Sequence, residues 1–163
     1  MSSARPEHIP EKLGGAPHSK CSLRLWLRLL SCALVIEKRI RNRLAADFST
    51  TLPRFDVLAA LERSPAGLTM SELSHSIMVS NGNVTGVVVR LITDGLVKRK
   101  GTELDRRVVR VALTPKGRES FQRMARVHEQ WVDRMFADLS EARIAELSNQ
   151  LAELRRSVER NPL

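Results

Sequence analysis

From Lys20 to about Phe48, apolar residues return every three or four positions: Leu23, Trp26, Leu27, Leu30, Leu34, then Ile40 and Leu44. This is the period of one helix face. Ser49-Thr50-Thr51 supplies cap-type residues and Pro53 suits a first helical turn, so a short second helix is expected through Phe55, Leu58, Ala59 and Leu61. Ser64-Pro65-Ala66-Gly67 ends it. Thr69-Met70-Ser71-Glu72 is a capping box opening a third helix with Leu73 and Ile77 inward. Ser80-Asn81 starts a fourth after only a few residues. Its apolar face is Val84, Val88 and Leu91, its outer face Asn81, Asn83, Thr85 and Arg90, and Gly95 closes it.

The period then changes. Residues 96–100 and 108–113 read as two strands around the polar stretch 101–107, a β-hairpin. Thr114-Pro115 begins another helix, with Phe121, Met124, His128, Trp131 and Met135 at helical spacing. Ser140-Glu141 caps the last, where Ile144, Leu147, Leu151, Leu154 and Val158 repeat at alternating spacings of three and four. Such a seam suits packing on a second copy of itself, or on its own domain. Residues 1–19 hold Pro6, Pro10, Gly14, Gly15 and Pro17 and read as a flexible tail.

Two short helices joined by a tight turn form a helix-turn-helix shape, although such a pair is equally an ordinary two-helix corner. The hairpin behind it tilts the choice. A hairpin after a reading helix is a wing, able to put an arginine into the minor groove. Residues 80–110 carry seven Lys or Arg against three Asp or Glu, within a chain of 163 residues and formal net charge +9. A basic excess concentrated there fits a polyanionic partner, nucleic acid first.

Other function classes recede. No apolar run approaches the ~20 residues of a membrane span, and the N-terminus lacks a secretory pattern, so the cytoplasm is the expected compartment. Cys21 and Cys32, eleven positions apart, would lie about 16 Å apart on one helix, too far for a bridge. They read as buried, inert thiols, with a redox role for Cys21 as the alternative. No metal or cofactor is expected. There is no nucleophile elbow, zinc-protease pair or phosphate loop, and His8, His18, His75 and His128 are scattered, so no enzyme is expected.

One resemblance is specific. Leu68-Thr69-x-Ser71-Glu72-Leu73, Val79-Ser80-Asn81-Gly82-Asn83-Val84-Thr85-Gly86, Arg90-Leu91, Asp94-Gly95-Leu96-Val97, Asp105-Arg106-Arg107 and Leu113-Thr114-x-x-Gly117-Arg118 follow in order. The series resembles the MarR family of bacterial transcriptional regulators, over about residues 20–160. It implies a mainly α, winged helix-turn-helix fold with a small β-hairpin wing. Dimerisation helices would span 20–48 and 115–160 and a DNA-binding lobe 53–113, in a single domain over 20–163. It implies a homodimer on a double-stranded operator. Ser80, Asn81, Asn83, Thr85 and Arg90 would face DNA. Arg107 would enter the minor groove beside Arg106, with Asp105 orienting an arginine such as Arg99. Two positions depart from the family: Gly86 stands where Arg is frequent, and Val89 where many members carry Asp.

A further resemblance involves residues 23–30 and 51–56, which are similar to regulators of aromatic-acid catabolism, some released from DNA by hydroxycinnamoyl-CoA-type thioesters. It implies a repressor relieved by an aromatic or CoA-linked effector. Candidate contacts are Trp26, Arg28, Lys38, Arg39, Arg41, Arg43, Arg54 and His128, since arginine forks suit phosphates. Otherwise Trp26 is dimer core and the arginines are solvated. The rival function is a winged helix used for DNA architecture or protein contact, without an effector.

Overall fold

The computed structural model describes residues 17–77, 84–101 and 109–162, with side chains from Lys20 onward. The elements are α1 (Pro17–Phe48), α2 (Leu52–Glu62), β1 (Leu68–Thr69), α3 (Met70–Ser76), α4 (Val84–Thr93), β2 (Val97–Gly101), β3 (Val109–Leu113), α5 (Pro115–Met135) and α6 (Glu141–Arg160). Of the tail expected over 1–19, residues 1–16 lie outside the described residues. Helix α1 begins at Pro17, three residues earlier than its apolar period indicates, because proline's fixed φ suits a first turn.

The chain groups into two compact units, Met1–Arg39 and Ile40–Leu163. The described part of the first is helix. Its Leu23, Trp26, Leu27, Leu30 and Leu34 are exposed. So are Cys21 and Cys32, which corrects the expectation of buried thiols. The physical reason is their stripe: at helical spacing they share it with Arg28 and Arg39, whose charges keep that side in water.

In the second unit α1 ends at Ser49, whose φ of 49° is left-handed, and the Thr50 amide donates to the Leu44 carbonyl at 3.2 Å. Thr51 takes the N-cap position of α2, yet its side chain makes no capping bond; the expected cap is positional only. Helix α2 buries Leu52, Phe55, Val57, Leu58, Ala60 and Leu61, more than one face's worth. It packs against α3, α4, α5 and β3, which makes it the centre of the unit. Ile40, Leu44, Leu73, Val88, Leu91, Val97, Val111, Leu113, Met124 and Trp131 complete the core.

The sheet is antiparallel in the order β1-β3-β2. Its β1 strand is additional to the expected hairpin. Two residues are too few to show alternation. The strand exists because the turn closed by Gly67 N–H on the Ser64 carbonyl (2.8 Å) lays Leu68 against Val111.

One junction joins α4, the β2–β3 ribbon and α5. Helix α4 ends with the Gly95 amide on the Ile92 carbonyl and the Leu96 amide on the Leu91 carbonyl, both 2.9 Å, with Gly95 at φ 70°. The Thr114 hydroxyl donates to the Gly95 carbonyl at 2.7 Å and accepts from the Gly117 amide at 2.9 Å. The Thr114 amide donates to the Leu96 carbonyl at 3.0 Å. Gly117 passes so near Leu96 that an added Cβ would meet its carbonyl oxygen at 1.9 Å.

Gly117→Ala should therefore cost about 2 kcal/mol or more, an overpacking against backbone that cannot rotate away. Gly95→Ala should cost about 1 kcal/mol, since open space surrounds it and only its φ is strained. Urea unfolding at fixed protein concentration checks both. Equal stability of wild type and Gly117→Ala would contradict this close approach.

Candidate nucleic-acid interface

The α3 end of the reading pair is fixed by its capping box. The Glu72 amide donates to the Thr69 hydroxyl (3.2 Å), and the Thr69 amide donates to the Glu72 carboxylate (2.8 Å). That amide, then the Thr69 hydroxyl and Arg110, hold the Glu72 carboxyl below its ordinary value. Arg110 donates to the same carboxylate at 2.9 Å and to the Gly67 carbonyl at 3.0 Å, so it ties β3 to α3. One of the seven cations counted for DNA contact is thus employed within the fold.

Helix α4 is rotated by Val88 and Leu91, which are buried. Thr85, Val89, Arg90 and Thr93 consequently face outward, with Gly86 half-buried beside them. Its end is braced by Arg54 of α2, which donates to Asp94 at 2.5 Å, and by Lys116 of α5, which donates to the Asp94 carbonyl at 3.0 Å. Along β2, Val97 is buried while Lys98, Arg99 and Lys100 are exposed. The register runs from Val97 opposite Leu113 to Gly101 opposite Val109.

Of the residues expected to face DNA, Thr85, Arg90 and Arg99 are therefore exposed on α4 and β2 of one unit. Ser80, Asn81, Asn83, Asp105, Arg106 and Arg107 lie outside the described residues. The pattern did not reveal the Glu72–Arg110 link or the bracing of Asp94, because the partners are 38 and 40 positions apart.

The candidate effector residues divide between the two units. Trp26, Arg28, Lys38 and Arg39 are exposed in the first. In the second, Arg43 pairs with Asp47 at 2.6 Å and lies 5.5 Å over the Trp131 ring. Arg41 is exposed on the same helix. Arg54 is engaged by Asp94. His128 is half-buried, its ring 5.0 Å from Phe55 and 6.4 Å from Trp131. Phe121 and Phe48 extend this cluster at 5.5 Å from Phe55 and 6.0 Å from Trp131. Among the described residues, no group of three or more His, Cys, Asp or Glu could hold a metal ion, and no helix is long and apolar enough to cross a membrane.

A short helix pair backed by a three-stranded antiparallel sheet, with the β2–β3 ribbon after the second helix, defines a winged helix-turn-helix protein. Residues 48–108 match the MarR family model. Over 104 residues the chain is 35% identical to the transcriptional activatory protein BadR of Rhodopseudomonas palustris, covering 63% of this chain and 59% of that protein. The chain thus spans about six-tenths of that relative's length. A MarR family transcriptional regulator from Silicibacter pomeroyi superposes with a TM-score of 0.77 at 29% identity, over 88% of this chain and 99% of that one. BpsR of Bordetella bronchiseptica, whose DNA binding is described as regulated by 6-hydroxynicotinic acid, superposes with a TM-score of 0.66 at 26% identity, over 78% and 91%. The matching stretch and the fold around it are similar to those of MarR family regulators.

Burial holds the His128 imidazole below its ordinary value of 6.5. A depressed folded value means the unfolded chain takes up the proton first. The neutral ring's contribution is therefore complete above about pH 6.5 and is lost as pH falls through the folded value. Urea unfolding at about pH 7.5 and 5.5 should show a fall in stability that His128→Phe reduces. An unchanged fall in the variant would contradict this burial effect.

Proposed function

We propose that the chain is a homodimeric, DNA-binding transcriptional regulator without enzymatic activity, one that reads a pseudo-palindromic operator. The observation that carries this reading is a single lobe presenting the outward face of α4 next to the exposed Lys98, Arg99 and Lys100 of β2. A helix face at that position reads base edges in the major groove, and a basic ribbon beside it meets phosphate and the minor groove. Arg107 is the wing residue proposed for the minor groove, supported by Arg106 and oriented with Asp105. Ser80, Asn81 and Asn83 would precede Thr85 on the reading helix.

Dimerisation is supported by α6. The helix has no buried residue, and Ile144, Leu151 and Val158 of its seam are exposed. A helix with so regular an apolar seam left in water calls for a partner surface. A second copy brings an equivalent α6 and a second reading lobe, which a two-fold operator requires.

The effector proposed is a small aromatic acid or its CoA thioester, and the regulated genes those of aromatic-compound catabolism. The regulation of BpsR by 6-hydroxynicotinic acid, an aromatic acid, supports the class. The effector releases DNA by binding better to a lobe spacing that does not fit the operator. Repression is the proposed sign. Activation is the second reading, favoured by the name of BadR, and transcription in vitro with and without the protein separates them.

Selection of bound duplexes from a random DNA pool tests the proposal. A two-fold symmetric consensus with half-sites about 10 base pairs apart is expected. Arg107→Ala should weaken binding to that duplex by tenfold or more, on the order of 1–3 kcal/mol. Enrichment of no sequence, or of A·T-rich shape alone, would favour the architectural reading instead. Wild-type affinity of Arg107→Ala at several salt concentrations would overturn the assignment of the wing.

A further inference from the structure

The outward face of α4 is unusual for a surface that meets a polyanion. Its described part carries one charge, Arg90. Thr85, Val89 and Thr93 form its central line at four-residue spacing, and Val89 is 48% exposed. The Thr93 hydroxyl turns back onto its own helix and donates to the Val89 carbonyl at 3.1 Å. Beside the line, one turn before Val89, stands Gly86, which has no side chain to hold an approaching surface away. Val88 and Leu91 are 3% and 0% exposed, so α4 cannot rotate to hide Val89. The Arg54–Asp94 pair and the Gly95 cap fix the end of the helix as well. Val89 is thus held in water by the packing of its neighbours.

A β-branched side chain in a helix has one preferred rotamer, so its two methyl groups are presented at little entropic cost. On the floor of the major groove, the thymine C5-methyl is the apolar feature among donors and acceptors. The exposed cations of β2 supply the attraction to DNA, and an apolar contact on α4 supplies discrimination between bases. The geometry points to Val89 as a specificity-determining residue, and we propose that it reads a thymine C5-methyl in each half-site. This inference rests on the DNA-reading function proposed above.

Uracil is the probe, because it keeps thymine's hydrogen-bonding groups and lacks the methyl. Each thymine of the selected duplex is replaced in turn, symmetrically in both half-sites, and affinity is measured for wild type, Val89→Ala and Val89→Thr. One position should lose about fourfold per half-site in wild type, the worth of one buried methyl, and roughly sixteenfold over both. Val89→Ala should bind the thymine and uracil duplexes equally at that position, while keeping wild-type sensitivity at the others. Val89→Thr, which retains one methyl, should recover part of the difference. Because Val89 is exposed, these variants should unfold at the wild-type temperature. Sequence-specific binding with no uracil-sensitive position, or with sensitivity that survives Val89→Ala, would overturn this inference alone. Failure to enrich any sequence would overturn the DNA-reading proposal and this inference with it.

Discussion

The reading lobe depends on the meeting of Thr114 with Gly95 and Leu96. Through one side chain and one amide, Thr114 caps the end of α4, closes the inner end of the β2–β3 ribbon and starts α5. The missing Cβ of Gly117 lets that start lie directly on Leu96. Helix and ribbon therefore cannot change their mutual angle without breaking bonds to a half-buried hydroxyl. Such fixed geometry is what base reading needs, since a side chain discriminates between bases only when its helix arrives at the groove in one orientation.

Charge is divided to the same end. Acidic groups near the lobe are used to hold its parts. Glu72 holds Arg110, Asp94 holds Arg54, and Glu62 holds Arg118 at 2.6 Å. Pairs as exposed as these stabilise little on their own. Their effect is to fix where α3, α4 and α5 lie, while Lys98, Arg99 and Lys100 stay exposed toward solvent. In the proposed function, attraction to a polyanion would come from the ribbon, and selectivity from the nearly uncharged face of α4.

Much of this arrangement was legible in the sequence because it is local. The Thr69–Glu72 capping box, the Ser140 cap, the Thr114-Pro115 start and the Gly95 stop each depend on residues within a few positions, and each appears in the structure. Strand β1 was not legible, since two residues have no period and its partner lies far along the chain. Exposure was misread at Cys21 and Cys32, where a helical pattern shows spacing but not which side meets water. The employment of Arg54 and Arg110 was likewise hidden, because a count of charges does not show distant partners. The seam of α6 was legible as a period, and the structure adds that Ile144, Leu151 and Val158 are exposed while Leu147 and Leu154 are half-buried.

Reading a two-fold operator requires a dimer of these lobes. Sedimentation of the protein alone, and of its complex with a selected duplex, tests this most directly. A two-chain particle is expected without DNA and two chains per duplex in the complex, with no one-chain complex when duplex is in excess. A stable single chain in solution that binds the duplex one to one would contradict it.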